Sequence, residues 1–226
     1  MKQLSFLLQN HLFVPIIQET KPCRKLDFSA DNTTLAKQKF ENVGQFSEYV
    51  FQDLLSNNEY MGIGGYRENR VIYSKLQHFG GGEIDARNLH LGTDIWANAG
   101  TVVFAPMDGT IHSFHYNNHE GDYGPTIILK HQLDNHCFYT LYGHLSLDSI
   151  VAIKRNQLIK AGTALGQIGD YPENGNWPAH LHFQIIEDIG SFQGDYPGVC
   201  NQKDSDYFFQ NCPNPNLILK VAENNL

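Results

Sequence analysis

A mainly β protein, with an antiparallel sheet core and a partly helical N-terminal extension, is the fold class this amino-acid sequence predicts. Between residues 101 and 186, short runs of β-branched and aromatic residues alternate with turn formers. Only 18% of the 226 residues are charged, while 12% are aromatic and 20 are glycine, a balance that suits strands and turns better than a helical bundle. Helical periodicity is strongest in one stretch near 38–55, which places the helical part ahead of the sheet.

Residues 1 to about 35 alternate short apolar runs with Pro15 and Pro22, and Asp31-Asn32-Thr33-Thr34 offers a helix start. Phe40, Val43, Phe46, Val50, Phe51 and Leu54 recur at three- and four-residue intervals and form one apolar stripe that must pack on the main body. Gly62-Ile63-Gly64-Gly65 ends this region. Arg70 to Ser74 reads as a short strand entering the Gly80-Gly81-Gly82 loop. Strands are then expected at Thr101–Ala105, Gly109–Tyr116, Thr126–His131, Cys137–Tyr142, Ala164–Ile168 and His180–Ile186. Asp108-Gly109 and Asp134-Asn135 are hairpin signals. The expected organisation is an extension over 1–70 and one domain over 71–226.

A formal net charge of −8 with no basic run opposes nucleic-acid binding and a polybasic grip on an anionic surface. No apolar run approaches the roughly 20 residues of a spanning helix. Gln9, Asn10 and His11 interrupt the apolar N-terminus, so it makes a poor signal peptide, and the expected location is cytoplasmic by default with non-standard export left open. Cys23, Cys137, Cys200 and Cys212 lack metal-knot spacing and are expected as thiols, with a Cys200–Cys212 bridge as the minority alternative.

Three short strings carry chemistry. His90-Leu91-Gly92-Thr93-Asp94 sets an imidazole and a carboxylate four positions apart, both standard zinc ligands. In His180-Leu181-His182, strand alternation puts two imidazoles on one face and Leu181 on the other. His144 follows Leu141-Tyr142-Gly143 at a strand end. Each string alone is weak. A hydrolytic zinc site needs three protein ligands, an open position and an acid/base group of near-neutral pKa, and together the strings could supply all of these. Tyr142, Asn174 and Trp177 border them and are candidates for substrate contact. His112, His115 and His119 read as structural or exposed, and His131 and His136, flanking a turn, as exposed.

In this order and spacing, HLGTD, LYGHL and AHLHF resemble the lysostaphin-type family of zinc metallopeptidases that cut peptidoglycan. The resemblance covers about residues 86 to 189. It implies zinc on His90, Asp94 and His182, catalytic roles for His144 and His180, a peptide or peptidoglycan-fragment substrate, and the family's antiparallel sheet. Gly65 to Arg70, Gly194 to Val199 and Cys212 to Asn216 look like a subgroup without signal peptides. The function so implied is a zinc-dependent endopeptidase that cleaves glycine- or D-alanine-containing peptides with a metal-activated water. The alternatives are a zinc hydrolase of another small amide and a non-catalytic binding module of the same fold.

Overall fold

A computed structural model describes residues 2–18, 21–70 and 87–222. Among these the strands run β1 (Cys23–Lys25), β2 (Met61–Gly64), β3 (Leu89–His90), β4 (Thr93–Trp96), β5 (Val102–Phe104), β6 (Gly109–Asn117), β7 (Gly124–Leu133), β8 (His136–Gly143), β9 (Leu158–Ile159), β10 (Ala164–Gln167), β11 (His180–Ile186) and β12 (Val199–Cys200). Eight of them form one sheet in the order β1-β2-β4-β11-β8-β7-β6-β9. Its pairings are antiparallel except that of β1 with β2. The mainly antiparallel expectation therefore holds, with one parallel edge contributed by the N-terminal region.

Asp134-Asn135 is the β7–β8 hairpin turn, as its sequence predicts. Asp108-Gly109 is not a hairpin turn, because β5 pairs with β10 while β6 pairs with β7 and β9. The Asp108 carboxylate instead accepts the Ala161 backbone N–H and a Lys160 ammonium N–H. The strand expected at Arg70 to Ser74 and the glycine loop at 80–82 lie outside the described residues, save for Arg70.

Strand β11 is buried along its whole length. Leu181, Phe183 and Ile185 enter the main core with Ile127, Leu129 and Phe138, while His180, His182 and Gln184 take the other face. Each such apolar side chain contributes about 1.5–3 kcal/mol on burial, enough to hold the strand in register and so aim the polar face.

The N-terminal region packs on this sheet. Helix α1 (Lys2–Asn10) buries Leu4 and Leu8 in the main core, and the Lys220 ammonium donates to the Leu8 and Gln9 carbonyls. Helix α2 (Thr33–Lys37) starts at Asn32, whose side chain accepts the Thr34 and Leu35 N–H groups. The helix expected near 38–55 is shorter: Asn42 caps α3 (Val43–Glu48), which runs into a π-helical turn at Tyr49–Leu54. Phe46, Tyr49 and Val50 then pack with Phe28, Trp96 and Trp177 in a second apolar cluster. Two short helices, α4 (Ser205–Asn211) and α5 (Asn216–Leu219), follow β12. Among the described residues no helix is long and apolar enough to cross a membrane. The four cysteines are free thiols, so the alternative Cys200–Cys212 bridge is not formed.

Candidate metal centre

Sheet register brings the expected residues together. Asp94 on β4 stands opposite His182 on β11, and Trp96 stands opposite His180. On the other side of β11, His182 faces Gly143, and a Cβ there would meet the Tyr123 ring. His90 reaches the same point from β3, held against β12. His144 arrives differently. Its backbone lies in the left-handed region, at φ 61°, breaking the alternation that would have sent it to the core side with Tyr142.

His90 Nε2, His182 Nδ1 and Asp94 Oδ1 converge: the separations are 2.9 Å between the nitrogens, 3.4 Å from His90 to the carboxylate and 3.1 Å from His182 to it. All three residues are buried. Their outer partners fix the tautomers. His90 Nδ1 lies 3.0 Å from the Gly65 carbonyl, which can only accept, so Nδ1 carries the proton and Nε2 is bare. His182 Nε2 lies 2.9 Å from Gln184 Oε1, and the Gln184 amide is oriented by donating to the Pro197 carbonyl and the Cys212 sulfur. Nε2 therefore donates and Nδ1 is bare. Three lone pairs thus face one another in a buried space, an arrangement that repels itself unless a cation sits between them. This donor set of two imidazoles and one carboxylate fits zinc.

Burial would raise the Asp94 pKa, but the Arg70 guanidinium holds it well below the usual carboxylate range. Arg70 Nη1 donates to Asp94 Oδ2 at 2.6 Å. Burial, with the nearby Arg70 charge, lowers His90 to about 3.

His144 and His180 stand beside this group with ring centroids 4.2 Å apart. Both are oriented by carbonyl acceptors: His144 Nδ1–H donates to Asn174 O at 2.7 Å and His180 Nδ1–H to Pro178 O at 2.7 Å. Each leaves a bare Nε2, and that of His180 is 3.9 Å from Asp94 Oδ2. Trp96 stacks on His180 at 4.3 Å. Burial lowers His180 to about 4, and burial with the neighbouring His180 pushes His144 well below the ordinary imidazole value. Both are neutral near pH 7, their pKa values lying below the near-neutral range expected of an acid/base group because burial disfavours the charged ring, and each keeps a lone pair at Nε2.

The group opens into a cleft of about 610 Å³ whose walls include Trp177, Tyr123, Tyr196 and Phe192. Of the three candidates for substrate contact, Trp177 lines this cleft. Tyr142 does not: it pairs with Phe183, shares that residue's core face and is fully buried. Asn174 is also fully buried, its side chain bonded to Gly169 and Trp177 and its carbonyl holding His144. It supports the histidine rather than facing substrate. His131, expected to be exposed, is buried, with Nδ1 donating to the Asp108 carbonyl and Nε2 2.7 Å from the Thr140 hydroxyl. Sequence reading missed Arg70, Glu68, Gln184 and Tyr123, while His119, read as structural or exposed, is exposed on the cleft rim. Of those missed, only Gln184 carried a signal, since alternation places it on the face of His182.

Residues 88–194 match the family model described as Peptidase family M23. No curated protein matches the chain. Among solved structures it is similar to a Pseudomonas aeruginosa protein assigned as peptidase M23, at 19% identity and TM-score 0.40 over 59% of this chain and 45% of that one. It is also similar to a zinc-containing peptidase from Vibrio cholerae, at 27% identity and TM-score 0.34 over 43% of this chain and 27% of that one. For the catalytic domain of lysostaphin from Staphylococcus simulans the values are 24%, 0.42, 74% and 98%. The match thus spans less than half the length of the first two proteins.

Proposed function

We propose, from the match of residues 88–194 to the model of peptidase family M23, that this chain is a zinc-dependent endopeptidase acting on peptidoglycan-type peptides. The observation that carries the reading is the convergence of three unprotonated donor atoms, on His90, Asp94 and His182, beside two imidazoles with bare Nε2 atoms.

In this reading His90 Nε2, Asp94 Oδ1 and His182 Nδ1 hold the ion. Zinc held there supplies Lewis acidity, which makes a water nucleophilic at neutral pH and polarises the scissile carbonyl. One of His180 and His144 takes up the proton of the attacking water at Nε2 while the other orients it, and their Nδ1–H bonds to Pro178 O and Asn174 O keep the rings aimed while the charge develops. A protonated Nε2 then donates to the developing oxyanion or passes its proton to the leaving amine. Trp177 and Trp96 flank these rings, excluding water from their apolar sides. Glycine- or D-alanine-containing wall peptides are the substrates that the family match favours.

The test is zinc content of the purified chain together with cleavage of a muropeptide and a pentaglycine peptide. One zinc per chain, and turnover that stops on chelation and returns with zinc, is the expected result. A chain that binds zinc and cleaves neither substrate would refute the substrate class, and one that takes up no zinc would refute the metal.

A further inference from the structure

The Asp94 carboxylate divides its two oxygens. Oδ1 faces the His90 and His182 nitrogens, while Oδ2 accepts from Arg70 Nη1 at 2.6 Å. Arg70 is buried, and its Nε donates to Glu68 Oε2 at 2.8 Å. Glu68 is fixed in turn, because its Oε1 accepts the Phe28 backbone N–H at 3.0 Å.

The backbone beneath this relay is also pinned. The Arg70 N–H donates to Asn88 O, the His90 N–H to Glu68 O and the Arg67 N–H to His90 O, so residues 67–70 run beside the strand that carries His90. Gly65, at φ 102°, leaves the room: a Cβ there would strike both the Arg70 guanidinium and the His90 ring.

We infer that Arg70 is a positioning residue for the metal centre: it occupies Oδ2 so that Asp94 meets the ion through Oδ1 alone. The inference rests on the zinc reading above. Two effects of Arg70 oppose each other. Its positive charge disfavours a nearby cation, whereas its hydrogen bond orients the ligand. Glu68, bonded to the same guanidinium, offsets the charge and leaves orientation as the larger effect.

The test compares the full chain with Arg70→Met, Arg70→Lys and Glu68→Gln, each checked for folding by circular dichroism. Zinc affinity is measured by competition with a chromophoric chelator, and the visible spectrum is recorded on cobalt(II)-loaded protein. Arg70→Met is expected to weaken zinc about 10–100-fold, the usual loss for an outer partner of a ligand. It should also dim the cobalt bands, as a freed Oδ2 raises the coordination number. Arg70→Lys, whose ammonium can reach Asp94 but lacks the fork that also engages Glu68, is expected to recover part of the affinity. Should Arg70→Met fail to fold, Arg70→Lys and Glu68→Gln carry the test, and both must bind zinc more weakly than the parent.

Zinc bound by the parent, with affinity unchanged or tighter in the folded variants, would overturn the role given to Arg70 and leave the metal reading intact. A parent chain that takes up no zinc would overturn both.

Discussion

Gln184 Oε1 lies 2.9 Å from His182 Nε2, and this bond decides which imidazole nitrogen faces Asp94. A ring that carries its proton on Nε2 must present a bare Nδ1 to the centre. Gln184→Leu removes the acceptor, frees the tautomer and leaves the Pro197 carbonyl without its amide donor. The expected outcome is a folded protein whose zinc affinity falls about 10–100-fold, read by chelator competition. Unchanged affinity would mean that the ring is set by its other neighbours, Asp94, His90 and the Tyr123 hydroxyl.

Substitution of the five central residues should divide them by role. His90→Ala, Asp94→Ala and His182→Ala are expected to release zinc. His144→Ala and His180→Ala are expected to keep it and lose about 10²–10⁴-fold in kcat, the usual range for a general acid or base. Metal analysis alongside kcat for each variant checks this. Full activity in His144→Ala or His180→Ala would remove that residue from the proton path.

Much of this arrangement was legible in the chain itself, because its parts are local. Alternation alone places His180 and His182 on one face and Leu181 in the core. The same rule, carried two residues on, would have reached Gln184, and carried back from His144 it would have misled, because φ 61° turns that residue out of the pattern. Nearness in sequence makes Tyr142 a candidate for the cleft, while its pairing with Phe183 sends it inward. Gly65 to Arg70 stands out as a subgroup segment, but nothing in it ties Arg70 or Glu68 to the centre. They act through the placement of residues 67–70 beside 88–90, a non-local contact that no spacing within the chain encodes.

Gly92, in the middle of the His-x-x-x-Asp string, is required for space. A Cβ built on it would lie 2.5 Å from both Cε1 and Nε2 of His182 and 2.8 Å from the Phe183 carbonyl. Gly92→Ala should therefore push the His182 ring off its Gln184 bond without removing any ligand. The expected result is loss of most bound zinc from a chain whose far-ultraviolet circular dichroism is preserved. Retention of full zinc affinity would show that the ring has room to yield.

The pH dependence of folding has one source outside the cleft. His131 is 1% exposed, and burial lowers it to about 4 from an ordinary 6.5, although its bond to the Asp108 carbonyl pulls the other way. The folded chain therefore holds His131 neutral where the unfolded chain takes up a proton. Stability from this group is complete above about pH 6.5 and drains away as pH falls towards 4, since the unfolded state binds more protons across that window. At 1.36 kcal/mol per pH unit the loss amounts to about 3 kcal/mol at the acid end. His131→Gln removes the titration, so its stability should be lower than that of the parent at pH 7, where a bond to Asp108 or Thr140 is lost, and should fall less steeply below pH 6.5. Urea unfolding of parent and variant at pH 7.0, 5.5 and 4.5 measures the two slopes. Parallel slopes would place the acid sensitivity in another buried histidine, of which His144 and His180 are the next to test by the same comparison.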